Sequence, residues 1–451
     1  MNADILNDKE IATARACMDK ALAKGVSKIR VNVSKSTMDL VGTLDGAIDK
    51  ITHCLDRSLS VSLFVDGRYG AFSTNRCEES ELDGFLDKAI STVRLLSPDE
   101  CRDLPAAERI AQDAVSGYEL GLYDSAIEEI TPAERVSTAL AGAVFHSPEA
   151  KGEGYELISE EAEYSDGVYD SLTLDSEGAY CRHIETSFEY GVEVTIRDAK
   201  GRRYSSYWWD SATHKADLHP GVIGQGALSR AVRQMNPKGI RGGKYNVVID
   251  RECASRMVSP VLNALNGYSL QQHNSFLQDS LGKRIFPEGL TIMDMPHIQG
   301  QSGSRLFDSE GVATRQAPIV ENGVVRQYSI NSYMANKMGM TPTIEDFSRP
   351  AVMPYPHSGM QRDDILRLCG DGVLITGFNG GNSNAATGDF SYGIEGFLFK
   401  DGRIVHPIKE MVLTGNFLSA WSRMIACGDD ARQCQSRLVP TLAFSGMDIN
   451  A

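Results

Sequence analysis

Histidine, cysteine and carboxylate side chains are the residues of this sequence that could bind a metal or activate water. A water-activating zinc site usually has two histidines one helical turn apart and a glutamate beside the first, because ligands and base must share one helix face. None of the nine histidines forms such a pair. Cys181 and His183 would share one face of a strand, but no second pair at ligand spacing accompanies them. We therefore favour an ordinary strand surface there and keep a metal-ligand pair as the alternative.

Three carboxylates, Asp389, Glu395 and Glu410, lie in one glycine-rich region and could act as paired acid and base. A solvated strand face is the preferred interpretation, because acidic residues are usually exposed. Residues 377–382 are also rich in glycine, yet they lack the Gly-Lys-Ser/Thr ending of a phosphate-binding loop. We expect turn structure near a groove in this segment.

The charge and cysteine content narrow the classes of partner and compartment. The 451-residue chain has a formal net charge of -15, which opposes binding to nucleic-acid phosphates and to anionic membranes. Its nine cysteines are scattered and odd in number, which favours reduced thiols. Residues 1–10 are polar and acidic, and no run of 18 uncharged apolar residues occurs. We expect a cytoplasmic protein with neither a nucleic-acid nor a membrane partner.

The elements that would position these residues indicate an α+β fold. Apolar residues at helical spacing predict a first helix over residues 8–24, capped near Asn7-Asp8 and ended by Gly25. Alternating segments follow, with a hairpin turn at Asp66-Gly67, and a second helix is predicted over residues 82–93. We assign residues 1–115 to an N-terminal domain in which these helices pack on a small antiparallel sheet.

Two further domains are predicted, at residues 116–236 and 237–451. The middle domain begins with a helix capped at Thr131 and continues as a β-meander with helices. Its strands are predicted to turn at 165–167, 176–178 and 199–201. The C-terminal domain has one helix near 251–266 and then closely spaced strands, with hairpins at 321–323 and 400–402. This pattern predicts a large β-rich, barrel-like domain.

Four sequence blocks in the C-terminal half resemble, in order, the signatures of the TldD/PmbA peptidase family. They are FLQDSLGK at 276–283, FDSEGV at 307–312, ATGDFSYGIEGF at 386–397 and PIKEMVLTGN at 407–416. The chain length and the order of its elements also fit, so the resemblance covers nearly the whole chain. It implies that the chain is of the PmbA (TldE) type, the family's subunit without a zinc motif.

The resemblance also identifies where a metal site would stand. In that family the TldD subunit has a His-Glu-x-x-x-His zinc motif, and the corresponding positions here are Ser259, Pro260 and Ala264. None of these side chains can bind zinc or act as a base. Cys434 falls close to a C-terminal cysteine of the metal-bearing subunit, and one thiolate cannot hold a catalytic zinc. We therefore expect no catalytic residue, no metal and no cofactor in this chain.

The favoured hypothesis is a non-metal subunit of a zinc peptidase that acts on small, unfolded or leader-like peptides. The resemblance implies a TldD-like partner that contains the zinc, or self-association as a homodimer. Extended peptide would bind by main-chain hydrogen bonds, and the groove candidates are Gly380, Gly381, Asn382, Gly388 and Asp389. The second hypothesis is a homodimeric peptide-binding or regulatory protein of the gyrase-modulator type. A metal-independent enzyme using the three carboxylates is the third.

Overall fold

The computed structural model describes residues 5–450, which form two compact units. Residues 1–4, part of the polar N-terminal segment noted above, and residue 451 lie outside the described residues. Unit 1 comprises Met1–Val232 and His297–Thr314, and unit 2 comprises Arg233–Pro296 and Arg315–Ala451. No helix of the described chain is long and apolar enough to cross a membrane.

Unit 1 combines four helices with long antiparallel strands. The helices are α1 (Asp8–Ala23), α2 (Glu79–Val93), α3 (Pro132–Ala141) and α4 (Ile223–Arg233). The strands are β1 (Lys28–Leu44), β2 (Ala47–Val65), β3 (Arg68–Thr74), β4 (Lys151–Gly152), β5 (Tyr155–Asp175), β6 (Tyr180–Asp198) and β7 (Arg203–Ala212). They form one sheet in the order β3-β2-β1-β5-β6-β7, with β4 paired to β5.

This sheet runs across the boundary that we predicted at residue 115. Strand β1 pairs with β5 from Arg30–Asp175 to Leu44–Glu161, so residues predicted as a small N-terminal sheet and a middle meander share one sheet. The turn predicted at 165–167 is wrong, because these residues lie inside β5. Asp166 is buried there in an ion pair with Arg135 of α3, at 2.8 Å, and a partner so far along the chain leaves no local signal.

Local signals located two helix starts and one tight turn of unit 1 correctly. The Asn7 side chain accepts a hydrogen bond from the Glu10 N–H, and the Glu10 carboxylate accepts one from the Asn7 N–H. These two hydrogen bonds form the capping box of α1. The Thr131 side chain accepts from the Glu134 N–H at the start of α3. Asp66 and Gly67 both have positive φ, at 51° and 70°, as the predicted hairpin turn requires.

Unit 2 is built around a closed five-stranded barrel, which confirms the barrel-like prediction. The strands of unit 2 are β8 (Gly243–Ile249), β9 (Ile292–Asp294), β10 (Ala317–Glu321), β11 (Val324–Val325), β12 (Pro350–Val352), β13 (Gly372–Ser383), β14 (Asp389–Lys400), β15 (Arg403–Pro407), β16 (Met411–Asn416), β17 (Met424–Cys427) and β18 (Leu442–Asn450). Its helices are α5 (Ser255–Ala264), α6 (Gly267–Gln271), α7 (Ser332–Met338), α8 (Arg362–Cys369) and α9 (Phe417–Trp421). The order β13-β8-β18-β16-β14 closes because β14 also pairs with β13.

The remaining strands of unit 2 lie outside the barrel wall. Strands β15 and β17 extend the barrel sheet from β14 and β18, and β11-β10-β9-β12 form a separate four-stranded sheet. Within the barrel β8 and β13 are parallel, whereas the other pairs are antiparallel. Helix α5 follows β8 directly, so it begins where the β8–β13 pairing ends.

Candidate functional site

Helix α5 holds the three positions that the sequence comparison assigned to a lost zinc motif. Its inner face is firmly packed in the unit 2 core through side chains that are at most 6% exposed, namely Met257, Val258, Val261 and Leu262. This packing keeps Pro260 inside the helix, although proline removes a main-chain donor and usually breaks a helix interior. Burial of the apolar face therefore stabilises the helix despite Pro260 in its interior.

The side chains at the motif positions do not fit a zinc ion. Ser259 is half-buried and its Oγ accepts a hydrogen bond from the guanidinium of Arg437, at 2.7 Å. Pro260 has no donor atom in its side chain, and Ala264 is a buried methyl group in the core. Zinc in proteins takes thiolate, imidazole or carboxylate ligands, and these three positions offer none.

The loop that contains Cys434 lies against this helix. Arg437 reaches Ser259, and Arg432 forms an ion pair with Glu252 at 3.0 Å, just before α5. The structure thus brings together the helix and the C-terminal loop that the sequence comparison had associated. Arg437 contacts the helix itself, Arg432 contacts Glu252 just before the helix, and Cys434 is half-buried.

The alternative metal pair, Cys181 and His183, lies in unit 1 on β6. Cys181 is fully buried, and burial raises the pKa of its thiol to about 11. His183 instead approaches Glu185, at 3.3 Å. Within residues 5–450 no group of three or more histidine, cysteine, aspartate or glutamate side chains could hold a metal ion. Neither residue is on an exposed strand surface, because the His183 side chain is only 15% exposed and Cys181 belongs to the core.

The glycine-rich residues 377–383 form the outer half of β13, so the turn structure predicted at 377–382 is wrong. This half of the strand has one open edge. On one side they pair with β14. On the other side β8 pairs only with residues 373–375, and no strand of the described chain continues that pairing. The main-chain groups of 377–383 on this side border the start of α5, and one of them, the Gly381 carbonyl, accepts a hydrogen bond from Arg256. Such an edge is a template for an additional extended strand.

Gly381 is required by the backbone of this edge. Its φ of 93° lies in the left-handed region, and a Cβ there would stand 2.0 Å from the carbonyl oxygen of Ser391 on β14. Gly380 has a φ of 144°, and the register shifts between Phe378 and Gly380. Together with Asn382 these residues are exposed. The edge therefore presents main chain with few side chains to restrict what lies beside it.

Arg256 links α5 to this edge. Its Nη2 donates to the carbonyl oxygen of Gly381 at 3.0 Å, and its guanidinium carbon lies 4.4 Å from the ring centroid of Tyr392. Stacking on an aromatic ring restricts the guanidinium to one orientation. Arg256 and Ser259 are three residues apart and so share a helix face. Arg256, which contacts the edge, and Ser259, which accepts from Arg437, therefore lie on one face of α5.

Gly388 and Asp389, the other two groove candidates, lie at the turn of the β13–β14 hairpin and not on its open edge. Gly388 is buried with a φ of 79°, and a Cβ there would stand 3.0 Å from Phe276. Asp389 accepts hydrogen bonds from Asn416 at 2.9 Å and from Thr387 at 2.7 Å. These two hydrogen bonds lower the pKa of Asp389 below its usual value. Both residues thus hold the turn between β13 and β14.

A stack of aromatic rings supports the hairpin from below. Tyr392 stacks on Phe390 at 5.2 Å between ring centroids, and Phe390 contacts Phe417 at 4.8 Å. Phe276 stacks in turn on Phe417, at 5.5 Å. Aromatic pairs of this kind add stability beyond their buried area. The exposed glycine-rich edge therefore rests on a rigid base.

The three carboxylates proposed as an acid–base set are spread along this region. Asp389 and Glu395 are six residues apart on β14, or about 20 Å at the rise of an extended strand. Glu410 precedes β16 and lies near Glu395, because Met411 pairs with Ile394. All three are exposed. The solvated strand face agrees with this arrangement, since Asp389 cannot act together with Glu395.

Sequence reasoning missed Arg256, Arg437 and Asn416, which make the polar contacts of the site. Arg256 had a signal, because it lies one helical turn before Ser259. Asn416 ends the block at 407–416, which was noted only as a signature. Arg437 had no signal in the sequence, since its contact with Ser259 joins residues 178 positions apart.

Comparison with known proteins identifies two matching domain families. The PmbA/TldA metallopeptidase central domain matches residues 125–235, and the PmbA/TldA metallopeptidase C-terminal domain matches residues 242–451. Metalloprotease PmbA of Escherichia coli O157:H7 is 28% identical over 440 residues, which is 94% of each chain. The C-terminal match contains all of the candidate site.

Two solved structures share the fold over nearly the whole chain. One, from Bacteroides thetaiotaomicron, is described as a candidate modulator of DNA gyrase; it has a TM-score of 0.93 at 37% identity and covers 99% of both chains. The other is TldE from Thermococcus kodakarensis, with a TM-score of 0.83 at 17% identity, covering 97% of this chain and 100% of that one. The second similarity concerns the fold alone.

Proposed function

Because the chain belongs to the PmbA/TldD metallopeptidase family, we propose that it is the non-metal, TldE-like subunit of a peptidase complex. A TldD-like partner would contain the zinc ion and cleave the peptide. This chain would hold the peptide, with no metal or cofactor of its own. The observation behind the proposal is the open edge of β13 beside a helix whose motif positions lack metal ligands.

The open edge suits an extended peptide of mixed sequence. A strand lying along residues 377–383 would exchange main-chain hydrogen bonds, which every peptide can form. Glycine at 377, 380 and 381 leaves little side-chain surface to discriminate among peptides. Folded proteins keep their main chain paired internally, so the edge favours small, unfolded or leader-like segments. The substrates that we propose are therefore short unfolded peptides.

The net charge and the cysteines of the chain support a preference for cationic peptides and a cytoplasmic location. A net charge of -15 attracts cationic peptides over long range and repels nucleic acids. All nine cysteines are free thiols in the structure, so we place the complex in the cytoplasm. Neither a nucleic acid nor a membrane is among the partners that we propose.

A second candidate is a homodimeric peptide-binding or regulatory protein without peptidase activity. The same open edge favours it, because strand addition needs no metal and no second type of subunit. The Bacteroides thetaiotaomicron relative bears a gyrase-modulator description. In this case the chain would bind peptide equally well with or without a TldD-like subunit.

Zinc content and cleavage of an unfolded peptide distinguish these candidates. Both are measured for the purified chain alone and for its mixture with a TldD-like subunit from the same organism. We expect the chain alone to be zinc-free and inert, and the mixture to co-elute and cleave. Stoichiometric zinc and cleavage by the chain alone would overturn the proposal, whereas peptide binding without co-elution would favour the second candidate.

Backbone N-methylation tests the binding mode directly. Two versions of one peptide are methylated on alternate main-chain nitrogens, in the two complementary patterns. A strand edge bonds only every second residue of its ligand, so one version should bind at least about tenfold more weakly than the other. Equal binding of both versions would exclude strand addition, whatever the role of a partner subunit.

A further inference from the structure

The outer half of β2 is a second open strand edge, in unit 1. Strand β3 covers only Leu59–Val65 of β2, so residues 47–57 pair with β1 on one side. Across residues 5–450 no main-chain group pairs with their other side. Ile51 is 65% exposed and Leu55 50%. Proteins usually shorten, bend or cover such an edge, and this one is eleven residues long with large apolar side chains.

The sequence of this edge is complementary to itself. Residues 49–57 read Asp-Lys-Ile-Thr-His-Cys-Leu-Asp-Arg, with His53 at the centre. In an antiparallel pair of identical strands centred on His53, residues equally distant from it face each other. Lys50 then faces Asp56, Asp49 faces Arg57, and Ile51 faces Leu55. Each facing pair occurs twice, and both members lie on the same face of the sheet.

Neighbouring registers lose this match. A centre at Thr52 puts Asp49 opposite Leu55, and a centre at Cys54 puts Ile51 opposite Arg57. Both shifts remove all the opposite-charge pairs, and unmatched charge is unfavourable across a strand pair. The charge pattern therefore specifies one register, with a two-fold axis at His53.

The two carboxylates of this edge, Asp49 and Asp56, are available to form ion pairs with a second chain. Lys50 already contacts Glu163 at 2.7 Å, and Arg57 contacts Glu10 at 3.4 Å. Asp49 and Asp56 have no ion-pair partner within 4 Å in the described chain. A second copy supplies a cation to each of them, since its Arg57 and Lys50 would lie opposite.

We propose that residues 49–57 pair with the same residues of a second copy of this chain, giving a homodimer with one continuous sheet. The apolar pairs Ile51–Leu55 would lie beside the central histidines, with the ion pairs outside them. The dimer surface lies in unit 1, whereas the peptide-holding edge lies in unit 2. Tests of the dimer involve no peptide and no metal.

Charge exchange within one chain tests the register. Asp56→Lys puts lysine opposite Lys50 twice in each dimer, and should raise the dimer dissociation constant at least about tenfold. Lys50→Asp combined with Asp56→Lys restores both pairs and should restore dimerisation. Sedimentation or light scattering gives the mass relative to the 49.2 kDa chain. A wild-type monomer, an insensitive Asp56→Lys variant or a failed rescue would each overturn the proposal.

A cysteine at the axis gives an independent geometric test. In a Cys54→Ser background, His53→Cys faces its own copy within the roughly 4.4–6.8 Å Cα separation that a disulfide needs. Mild oxidation should cross-link it into covalent dimers. The control Lys50→Cys in the same background lies about 20 Å from its own copy and should not cross-link. Dimers without the His53→Cys cross-link, or pairing only with a TldD-like subunit, would exclude this interface.

Discussion

The two open strand edges of the chain differ in what they offer a ligand. The β2 edge at 47–57 presents charged and apolar side chains in a fixed order, whereas the β13 edge at 377–383 has three glycines and mostly bare main chain. Both edges leave main-chain groups unpaired. Only the first can select a partner by its side chains.

The β2 edge is therefore specific for one partner sequence, whereas the β13 edge accepts many. Cross-strand side-chain pairs contribute stabilisation only when the partner has the right sequence, so the β2 edge fits its own copy. Main-chain hydrogen bonds are available to any extended peptide, so the β13 edge fits many. Substitutions at the glycines of the β13 edge and at the charged residues of the β2 edge should therefore have different consequences.

The largest expected effect comes from adding one methyl group to the β13 edge. Gly381→Ala forces a Cβ to 2.0 Å from the Ser391 carbonyl at a φ of 93°. The hairpin must distort, so we expect a loss of about 3 kcal/mol in the free energy of unfolding together with loss of peptide binding. Urea unfolding and calorimetric titration measure the two quantities.

Gly377→Ala is the matched control on the same edge. Its Cβ would meet Glu395 at an ordinary 3.6 Å, and Gly377 has no positive φ. We expect a change within about 1 kcal/mol in the free energy of unfolding and retained binding. Similar effects of the two substitutions would show that the edge is not held by the geometry described.

Salt should act on the two edges unequally. The proposed β2 dimer has four opposite-charge pairs at its surface, and added salt screens such pairs. Raising the ionic strength from about 0.05 M to about 0.5 M should weaken the dimer about tenfold. Binding of an uncharged peptide to the glycine-rich edge should change less than about twofold, because neutral main-chain hydrogen bonds are little screened.

Sedimentation and peptide titration over the same salt series check this difference. The Lys50→Asp, Asp56→Lys double variant is the control, since it keeps the number of charge pairs and should show the same slope as the wild type. A dimer that strengthens with salt would point to an apolar interface elsewhere on the chain.

Local sequence signals were sufficient for much of the fold. The Asn7 and Thr131 caps and the Asp66-Gly67 turn each depend on residues within three positions of one another. The predicted turn at 165–167 failed because Asp166 is paired with Arg135, 31 positions away. The joining of β1 to β5 likewise depends on distant residues. The local sequence around a charged residue such as Asp166 does not show whether its side chain is solvated or buried in an ion pair.

The site was predictable to the same degree. The residues at the motif positions of α5 could be named from the sequence, whereas the glycine-rich residues 377–382 were predicted as turn structure and lie instead in strand β13. The division of the groove candidates between an open strand edge and a hairpin turn was not predictable, because the open edge depends on where β8 stops pairing. Arg256 contacts a carbonyl 125 positions away, and no local pattern reports such a contact.

The smallest expected effect concerns Asp389, at the turn between β13 and β14. Hydrogen bonds from Asn416 and Thr387 lower the pKa of Asp389 in the folded protein. The ionised carboxylate therefore contributes stability above the unfolded-state pKa, and this contribution is lost as the pH falls through the folded-state pKa. Between about pH 6 and about pH 2, Asp389→Asn should flatten the decline of the free energy of unfolding. Urea unfolding across this range measures that slope, and Glu395→Gln, an exposed acid on the same strand, is the control. If both variants keep the wild-type slope, the hydrogen bonds to Asp389 do not hold the hairpin, and the rigidity of the glycine-rich edge must come from the aromatic stack beneath it.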